Sequence, residues 1–127
     1  MPTDTDALRV LIADDNPAVS VYLQSFLETL DRIIMIEITH EGLSASQLIQ
    51  SFKPHIILLD LMMPKLDGFE VCKQLKENPA TKAIRIIAMT GYPSKKNIDR
   101  ILATGAETCL QKPFDTTALM KAMKIDY

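Results

Sequence analysis

Five short apolar runs alternate with amphipathic segments along the chain, and this alternation restricts the possible fold more than any other feature of the sequence. The runs are Leu8–Ala13, Ile33–Ile38, Ile56–Leu59, Ile84–Met89 and the weaker Thr108–Gln111. Runs of this length that are rich in Ile and Val are typical of strands buried on both faces, as parallel sheets require. The pattern therefore predicts a parallel sheet built from these runs.

The segments between the runs carry the signals of helix starts and ends. Asn16-Pro17 is typical of a helix start, because asparagine caps the first turn and proline fits its first position. The further helices are predicted over Leu43–Phe52, from Asp67-Gly68 to Asn78, from Ser94 to about Gly105, and from Asp115 onward. Strands that are each followed by a helix predict an α/β fold, namely a doubly wound five-stranded parallel sheet with five helices.

The size and charge of the chain exclude several classes of protein. A length of 127 residues favours one domain, here residues 1–127. The net charge of −2 argues against a stand-alone nucleic-acid binder, which normally carries a basic patch. No apolar run approaches the ~20 residues of a membrane span, and the first residues lack a signal-peptide pattern. Cys72 and Cys109 form no metal or redox motif. We therefore expect a cytoplasmic protein that contacts neither nucleic acid nor membrane.

Polar side chains are predicted at the ends of the strands, where a doubly wound sheet binds its ligands. In chain order, the residues that end the strands are Asp14-Asp15, His40, Asp60, Thr90 and Lys112. The carboxyl ends of parallel strands meet at one edge of the sheet. Three carboxylates, one hydroxyl and one ammonium group are therefore expected to converge there.

This set of groups has a defined chemistry. Neighbouring carboxylates raise each other's pKa unless a cation relieves the repulsion. Hard oxygen ligands without cysteine or histidine favour Mg²⁺. A carboxylate beside the metal can act as the nucleophile in phosphoryl transfer, which depends mainly on alignment and charge neutralisation. Lys112 can supply positive charge and Thr90 a hydroxyl donor, so the pattern indicates Mg²⁺-dependent phosphorylation of an aspartate.

Four motifs in this order resemble a known family. They are LIADDNP with Asp14 and Asp15, ILLDLMMPKLDG with Asp60, IIAMTG with Thr90, and GAETCLQKPF with Lys112. The sequence is similar to the receiver domains of two-component response regulators from about Leu8 to about Ile125. No motif is decisive alone, but four motifs in order, each at a strand end, are highly specific.

The resemblance implies a flavodoxin-like fold of the receiver type and a role for each site residue. Asp60 would accept a phosphoryl group from the phosphohistidine of a sensor histidine kinase or a histidine phosphotransfer protein. Asp15, Asp60 and the backbone carbonyl of Met62 would hold Mg²⁺, with Asp14 contributing through water. The Lys112–Pro113 peptide bond would be cis.

The resemblance also implies how the domain works. It would catalyse its own phosphorylation and dephosphorylation without being a turnover enzyme. A downstream protein would contact the face formed by the fourth helix, the fifth strand and the fifth helix. The alternatives are that the chain is a receiver fragment of a larger regulator, or that it is an interaction domain independent of phosphorylation.

Three positions depart from the usual pattern of the family. Cys109 stands where most receivers have an aromatic residue, so its part in switching should be minor. Met62 and Tyr92 stand at the two positions that flank the approach of hydrolytic water, where an apolar and a bulky side chain should slow hydrolysis. We expect the output to depend instead on the loop Thr90–Ser94.

Other residues have ordinary structural interpretations. His40 and His55 lack a ligand pattern, so we expect both at the surface or at a loop edge. Lys95-Lys96 with Arg100 suggests a solvated helix face. We expect Cys72, Met120 and Met123 in the core, and Asp67-Gly68 in a turn before a helix.

Two other functions found on α/β folds are disfavoured, each by the residues at one position of this sequence. A haloacid-dehalogenase-type phosphatase has an aspartate two residues after the nucleophile, where this chain has Met62. A flavodoxin-like cofactor binder needs a phosphate loop after the first strand, where this sequence is acidic.

Overall fold

The computed structural model describes residues 7–63 and 68–125, apart from the side chains of residues 42 and 43. The strands are β1 (Leu8–Ala13), β2 (Ile34–Thr39), β3 (Ile56–Asp60), β4 (Arg85–Thr90) and β5 (Thr108–Gln111). The helices are α1 (Pro17–Leu27), α2 (Gly42–Phe52), α3 (Gly68–Glu77), α4 (Lys95–Thr104) and α5 (Thr116–Met123). Within the described ranges, no helix combines the length and the apolar character that a membrane crossing needs.

The strand order places the acidic residues side by side. All neighbouring strands are parallel, in the order β2-β1-β3-β4-β5. The order reverses between β1 and β3, the position where such sheets bind ligands. Ala13 pairs with Leu59, so the next residues, Asp14 and Asp60, are neighbours at the reversal point. The predicted α/β fold is confirmed.

The core has two layers, one on each face of the sheet. Alternate residues of the central strands pack against α2, α3 and α4 on one face and against α1 and α5 on the other. Leu11 and Ile57 belong to the first layer, and Ile12 and Leu58 to the second. Each such buried side chain contributes about 1.5–3 kcal/mol relative to an exposed one. The expected core positions of Cys72, Met120 and Met123 are confirmed.

The two outer strands differ from the expectation of burial on both faces. β2 alternates between half-buried and exposed residues, and Met35 on this strand is 51% exposed. β5 is half-buried along its first three residues. The prediction is wrong for these strands because an outer strand has a neighbour on one side only, and helices cover it incompletely.

Predicted helix starts are confirmed by their capping bonds. Asn16 Oδ1 accepts the Ala18 N–H at 3.0 Å, Ser94 Oγ accepts the Asn97 N–H at 3.1 Å, and Asp115 Oδ1 accepts the Ala118 N–H at 2.8 Å. These bonds satisfy N–H groups that the first turn of a helix leaves free. The second helix begins at Gly42, one residue before its predicted start. The predicted helix start at Asp67 lies outside the described residues.

Candidate functional site

Three carboxylates converge where β1 and β3 end, and we call this group, with Lys112, the acidic site. One oxygen from each of Asp14, Asp15 and Asp60 lies within 4.8 Å of the others. Asp14 is fully buried, Asp60 is 4% exposed, and Asp15 is exposed. The predicted convergence of the three carboxylates is therefore present. Two enclosed carboxylates and one that faces solvent suit a hard cation that keeps part of its water shell.

Hydrogen bonds hold Asp14 in the turn between β1 and α1. Its Oδ1 accepts the backbone N–H of Asn16 at 2.9 Å. Its own N–H donates to Thr39 O at 3.1 Å, and its carbonyl oxygen lies 2.9 Å from Nδ1 of His40. Asn16 therefore has a second role besides capping α1, because its backbone orients the most buried carboxylate of the site.

Lys112 brings the positive charge to the carboxylates. Its Nζ lies 2.6 Å from Asp14 Oδ2 and 3.6 Å from Asp60 Oδ2, and its side chain is 19% exposed. The Lys112 backbone N–H donates to Thr90 O at 2.7 Å, which joins the ends of β5 and β4. The Lys112–Pro113 peptide bond is cis, as expected.

The surroundings of Asp60 oppose its negative charge. Burial first, and then the nearby charge of Asp14, raise the pKa of the Asp60 carboxyl to about 7. The Lys112 ammonium and the Met62 N–H, 3.3 Å from Asp60 Oδ1, lower this pKa without cancelling the rise. A divalent cation at this position would favour the ionised carboxylate. Lys112 alone therefore does not offset the burial and the Asp14 charge that raise this pKa.

Thr90 ends β4 beside the acidic site and is buried. Its Oγ1 accepts the backbone N–H of Tyr92 at 3.0 Å, so the hydroxyl hydrogen is available for another acceptor. This bond also links Thr90 to the loop before α4. The Thr90 hydroxyl is therefore joined to the backbone of the Thr90–Ser94 segment.

The chain that carries this site matches a known family over most of its length. Residues 10–124 match the family model of the response regulator receiver domain. The chain belongs to this family. The receiver domain is 34% identical over 118 residues to the response regulator MprA of Mycobacterium ulcerans, covering 93% of this chain and 49% of MprA. It spans about half the length of the curated relatives it matches.

Solved structures support the same assignment. The receiver domain of a DNA binding response regulator from Colwellia psychrerythraea is 41% identical, with a TM-score of 0.88, over 92% of this chain and 95% of that one. The Mn(2+)-bound form of response regulator Rcp1 is 28% identical, with a TM-score of 0.79, over 90% of this chain and 87% of that one. The flavodoxin-like receiver fold is thus established.

The three positions predicted to depart from the family pattern differ in burial. Cys109 is half-buried and packs against the core layer under α2, α3 and α4. Met62 is 59% exposed and Tyr92 is 78% exposed. A ring this exposed packs against little of the molecule. Shielding of Asp60 by Tyr92 therefore needs a different side-chain position from the one described.

The contacts of three residues at or near the receiver site were not predicted from the sequence. A Cβ on Gly68 would lie 2.7 Å from Leu61 Cα and 2.8 Å from Asp60 O, so α3 starts directly against the end of β3. His40 contacts the Asp14 backbone, although it is exposed as expected. Arg100 lies 4.0 Å over the Phe69 ring and so connects α4 to α3, instead of belonging only to a solvated face. These contacts join residues distant in sequence, so spacing alone does not show them.

His55 lies far from the acidic site. Its Nδ1 accepts the backbone N–H of Arg9 at 3.0 Å, at the opposite edge of the sheet. It connects the start of β3 to β1. Its role is therefore to hold two strands together, which is more specific than the loop-edge position expected.

Proposed function

We propose that this receiver domain accepts a phosphoryl group on Asp60 in a Mg²⁺-dependent reaction and thereby changes its contacts with a partner protein. One observation carries the proposal: the nearly buried Asp60 carboxylate lies beside two further carboxylates, with Lys112 Nζ 3.6 Å away. Nucleophile, metal ligands and a balancing cation are thus present together. The acceptor and the catalyst are the same molecule, so the domain is not a turnover enzyme.

The chemistry of the donor set fits Mg²⁺. All the candidate ligands are oxygens, and Mg²⁺ is usually held by one or two carboxylates, water and a phosphate. Asp15 and Asp60 would hold it with the Met62 backbone carbonyl, and Asp14 would act through water. Rcp1 has been crystallised with Mn(2+), a cation with similar oxygen preferences. When bound, the metal would neutralise charge on the phosphoryl oxygens.

Three side chains would carry out the transfer. An oxygen of Asp60 attacks the phosphorus of a phosphohistidine as the P–N bond breaks, and the bonding electron pair stays on the imidazole nitrogen. Lys112, already between Asp14 and Asp60, would move its ammonium group to a phosphoryl oxygen. Thr90 would donate its free hydroxyl hydrogen to another phosphoryl oxygen.

The donor would be a sensor histidine kinase or a histidine phosphotransfer protein, in the cytoplasm. The downstream protein would bind the face formed by α4, β5 and α5, which adjoins Thr90 and Lys112. The domain itself would not contact nucleic acid, in keeping with the net charge of −2. Slow hydrolysis, from the apolar Met62 and the bulky Tyr92, stays a prediction.

Intact-mass measurement after incubation with a small phosphodonor and Mg²⁺ tests the proposal. We expect the gain of one phosphoryl group, which disappears when Mg²⁺ is chelated. Asp60→Asn keeps the shape of the side chain but removes the nucleophile, so it should stay unlabelled. Asp31→Asn, at an exposed position away from the acidic site, is the matched control and should be labelled normally. Full labelling of Asp60→Asn would place the acceptor elsewhere.

A further inference from the structure

A concavity of about 790 Å³ lies at the amino ends of the strands, on the side of the sheet opposite Asp60. It is lined by the first residues of β1, β3 and β4 and by the ends of α2 and α5. Its apolar lining includes Leu8, Ile56 and Ile125, and its cations are Arg9, Arg32, Lys53, Arg85 and Lys124. We call it the amino-edge concavity. Its size falls within the range of about 300–1,000 Å³ that small-molecule sites occupy.

The charge of this concavity is opposite to that of the chain as a whole. The chain has a net charge of −2, yet five of its 14 Lys and Arg residues line this one surface. Among the described residues, no aspartate or glutamate lines it. Cations gathered on low-dielectric walls concentrate anions from solution. The positive charge is thus a local property of this edge of the sheet.

Two of the five cations already have structural partners. Arg85 makes a 2.6 Å ion pair with Glu107 and donates to two carbonyl oxygens at the end of α5, at 2.8 and 3.1 Å. Arg9 Nε donates to Lys53 O at 2.8 Å. These bonds close the ends of α2 and α5. Arg85 and Arg9 are therefore needed for the fold whether or not an anion is bound.

Helix ends account for the two lysines but not for Arg32. Lys53 and Lys124 are the C-cap residues of α2 and α5, where a cation is favoured by the helix dipole. Lys124 also faces the charge of Glu107. Arg32 lies in the loop before β2, beyond the last turn of α1. A helix end therefore does not explain the positive charge at Arg32.

Arg32 has an enclosed donor for which the described residues offer no acceptor. Its Nε is buried and has no hydrogen-bond partner within the described part of the chain. An unsatisfied buried donor costs about 1–3 kcal/mol, and more when the group is charged, so native structures rarely leave one. Guanidinium groups bind phosphate and carboxylate oxygens with two parallel bonds. Arg32 also lines the concavity, so a rotation of its guanidinium group would let Nε donate to an oxyanion held there.

We propose that the amino-edge concavity binds a small organic phosphate, that is, a multivalent phosphate group carried on an apolar or ring-shaped body. Arg32 and Lys53 hold the phosphate, and the apolar lining takes the body. The site is separate from the acidic site and does not depend on the phosphorylation of Asp60. It gives the receiver domain a second input besides its phosphodonor.

Calorimetric titration of the full chain, without Mg²⁺, tests the proposal with three probes. ADP has both a phosphate group and a ring system, tripolyphosphate has only the charge, and adenosine only the rings. We expect ADP to bind saturably and more tightly than either of the others. Its affinity should fall as salt is raised, because the phosphate contacts are electrostatic.

Two variants and one control locate the binding. Arg32→Gln and the exposed Lys53→Gln should each weaken ADP binding at least tenfold. Lys73→Gln makes the same change of charge at an exposed position of α3 outside the concavity, and it should leave the affinity unchanged. Urea unfolding of each variant identifies any loss of fold, and Lys53→Gln keeps the test valid if Arg32→Gln is unstable.

Amide NMR signals give the second readout. ADP should shift the signals of Leu8, Arg32 and Ile125 but leave Thr90 and Lys112 in place. Three results would overturn the proposal: no saturable binding of ADP, equal losses in Arg32→Gln and Lys73→Gln, or shifts confined to Thr90 and Lys112. The last result would mean that the phosphate binds beside Lys112 instead.

Discussion

The two ends of the parallel strands, which we call the carboxyl edge and the amino edge of the sheet, have opposite charge and different packing. At the carboxyl edge, Asp14 and Asp60 are enclosed and share one lysine, so their charges are coupled over a few ångströms. At the amino edge, cations are spread around a concavity with an apolar lining. In a doubly wound sheet the helices run opposite to the strands, so their positive N-termini lie at the carboxyl edge and their negative C-termini at the amino edge. The dipoles favour the charge that each edge has.

The difference also concerns what each edge can do. Close, buried groups perturb one another strongly, which suits bond-making chemistry and switching. Cations set around a concavity suit reversible binding of an anion. Changes at the carboxyl edge should therefore affect function sharply, while changes at the amino edge should affect stability or binding by moderate amounts.

The largest expected effect is on the response to phosphorylation. Thr90→Ala removes the hydroxyl that would bind the phosphoryl group, so it should nearly abolish the shift of α4 amide signals that beryllofluoride produces. Tyr92→Ala should weaken the shift. Cys109→Ala, a small change at a half-buried position, should leave it nearly intact. Loss of the response in Cys109→Ala but not in Thr90→Ala would reverse the roles given to these residues.

Glycine substitutions at the two edges should separate function from stability. Gly68→Ala places a Cβ against the backbone of Leu61 and Asp60, which should destabilise the fold by about 1–3 kcal/mol and weaken metal binding. Gly105→Ala at the amino edge forces φ +125° on an alanine and should lower stability alone.

Urea unfolding and Mg²⁺ titration measure both effects of these substitutions. Gly91→Ala is the control, because a Cβ there has no described atom within 4 Å, and its unfolding free energy should stay within about 0.5 kcal/mol. A Gly105→Ala variant that lost metal affinity as much as Gly68→Ala would show that the two edges are not independent.

Metal affinity should depend most on the exposed carboxylate. Asp15→Asn replaces an anionic ligand by a neutral one, and we expect Mg²⁺ to bind about tenfold more weakly, or ~1.4 kcal/mol. Asp14→Asn should have a smaller effect, because Asp14 would act through water. Asp31→Asn serves as the control in the same titration. An unchanged affinity in Asp15→Asn would move the metal away from this site.

The smallest effect is expected from Glu107 at the amino edge. Hydrogen bonding and ion pairing with Arg85 lower the pKa of this carboxyl below its ordinary value. The Glu107–Arg85 pair therefore stabilises the fold fully above the unfolded-state pKa of Glu107. This stabilisation is lost as the pH falls through the folded-state pKa of Glu107. Glu107→Gln should cost no more than about 1 kcal/mol at neutral pH, since the pair is partly exposed.

Urea unfolding at several pH values checks this prediction. The difference between the natural chain and Glu107→Gln should shrink as the medium becomes acidic. A difference that grows on acidification would contradict the sign of the pKa shift.

Local patterns predicted most of the fold. The apolar runs located all five strands to within one residue, and the caps at Asn16, Ser94 and Asp115 were correct, because these signals depend on neighbours a few residues away. The prediction of burial on both faces was wrong for the outer strands β2 and β5. Burial there depends on the strand's position in the sheet, and its own composition does not encode that position.

The sequence by itself determined which groups lie at the carboxyl edge, because a residue that ends a strand must lie where the strand ends. The tertiary structure decided how those groups interact. Packing alone buries Asp14 completely, leaves Asp15 in solvent, and brings the start of α3 against Asp60 at Gly68. It also encloses Arg32 Nε without a described partner at the opposite edge. Charge, burial and pKa depend on distances through space between distant segments, which spacing along the chain does not contain.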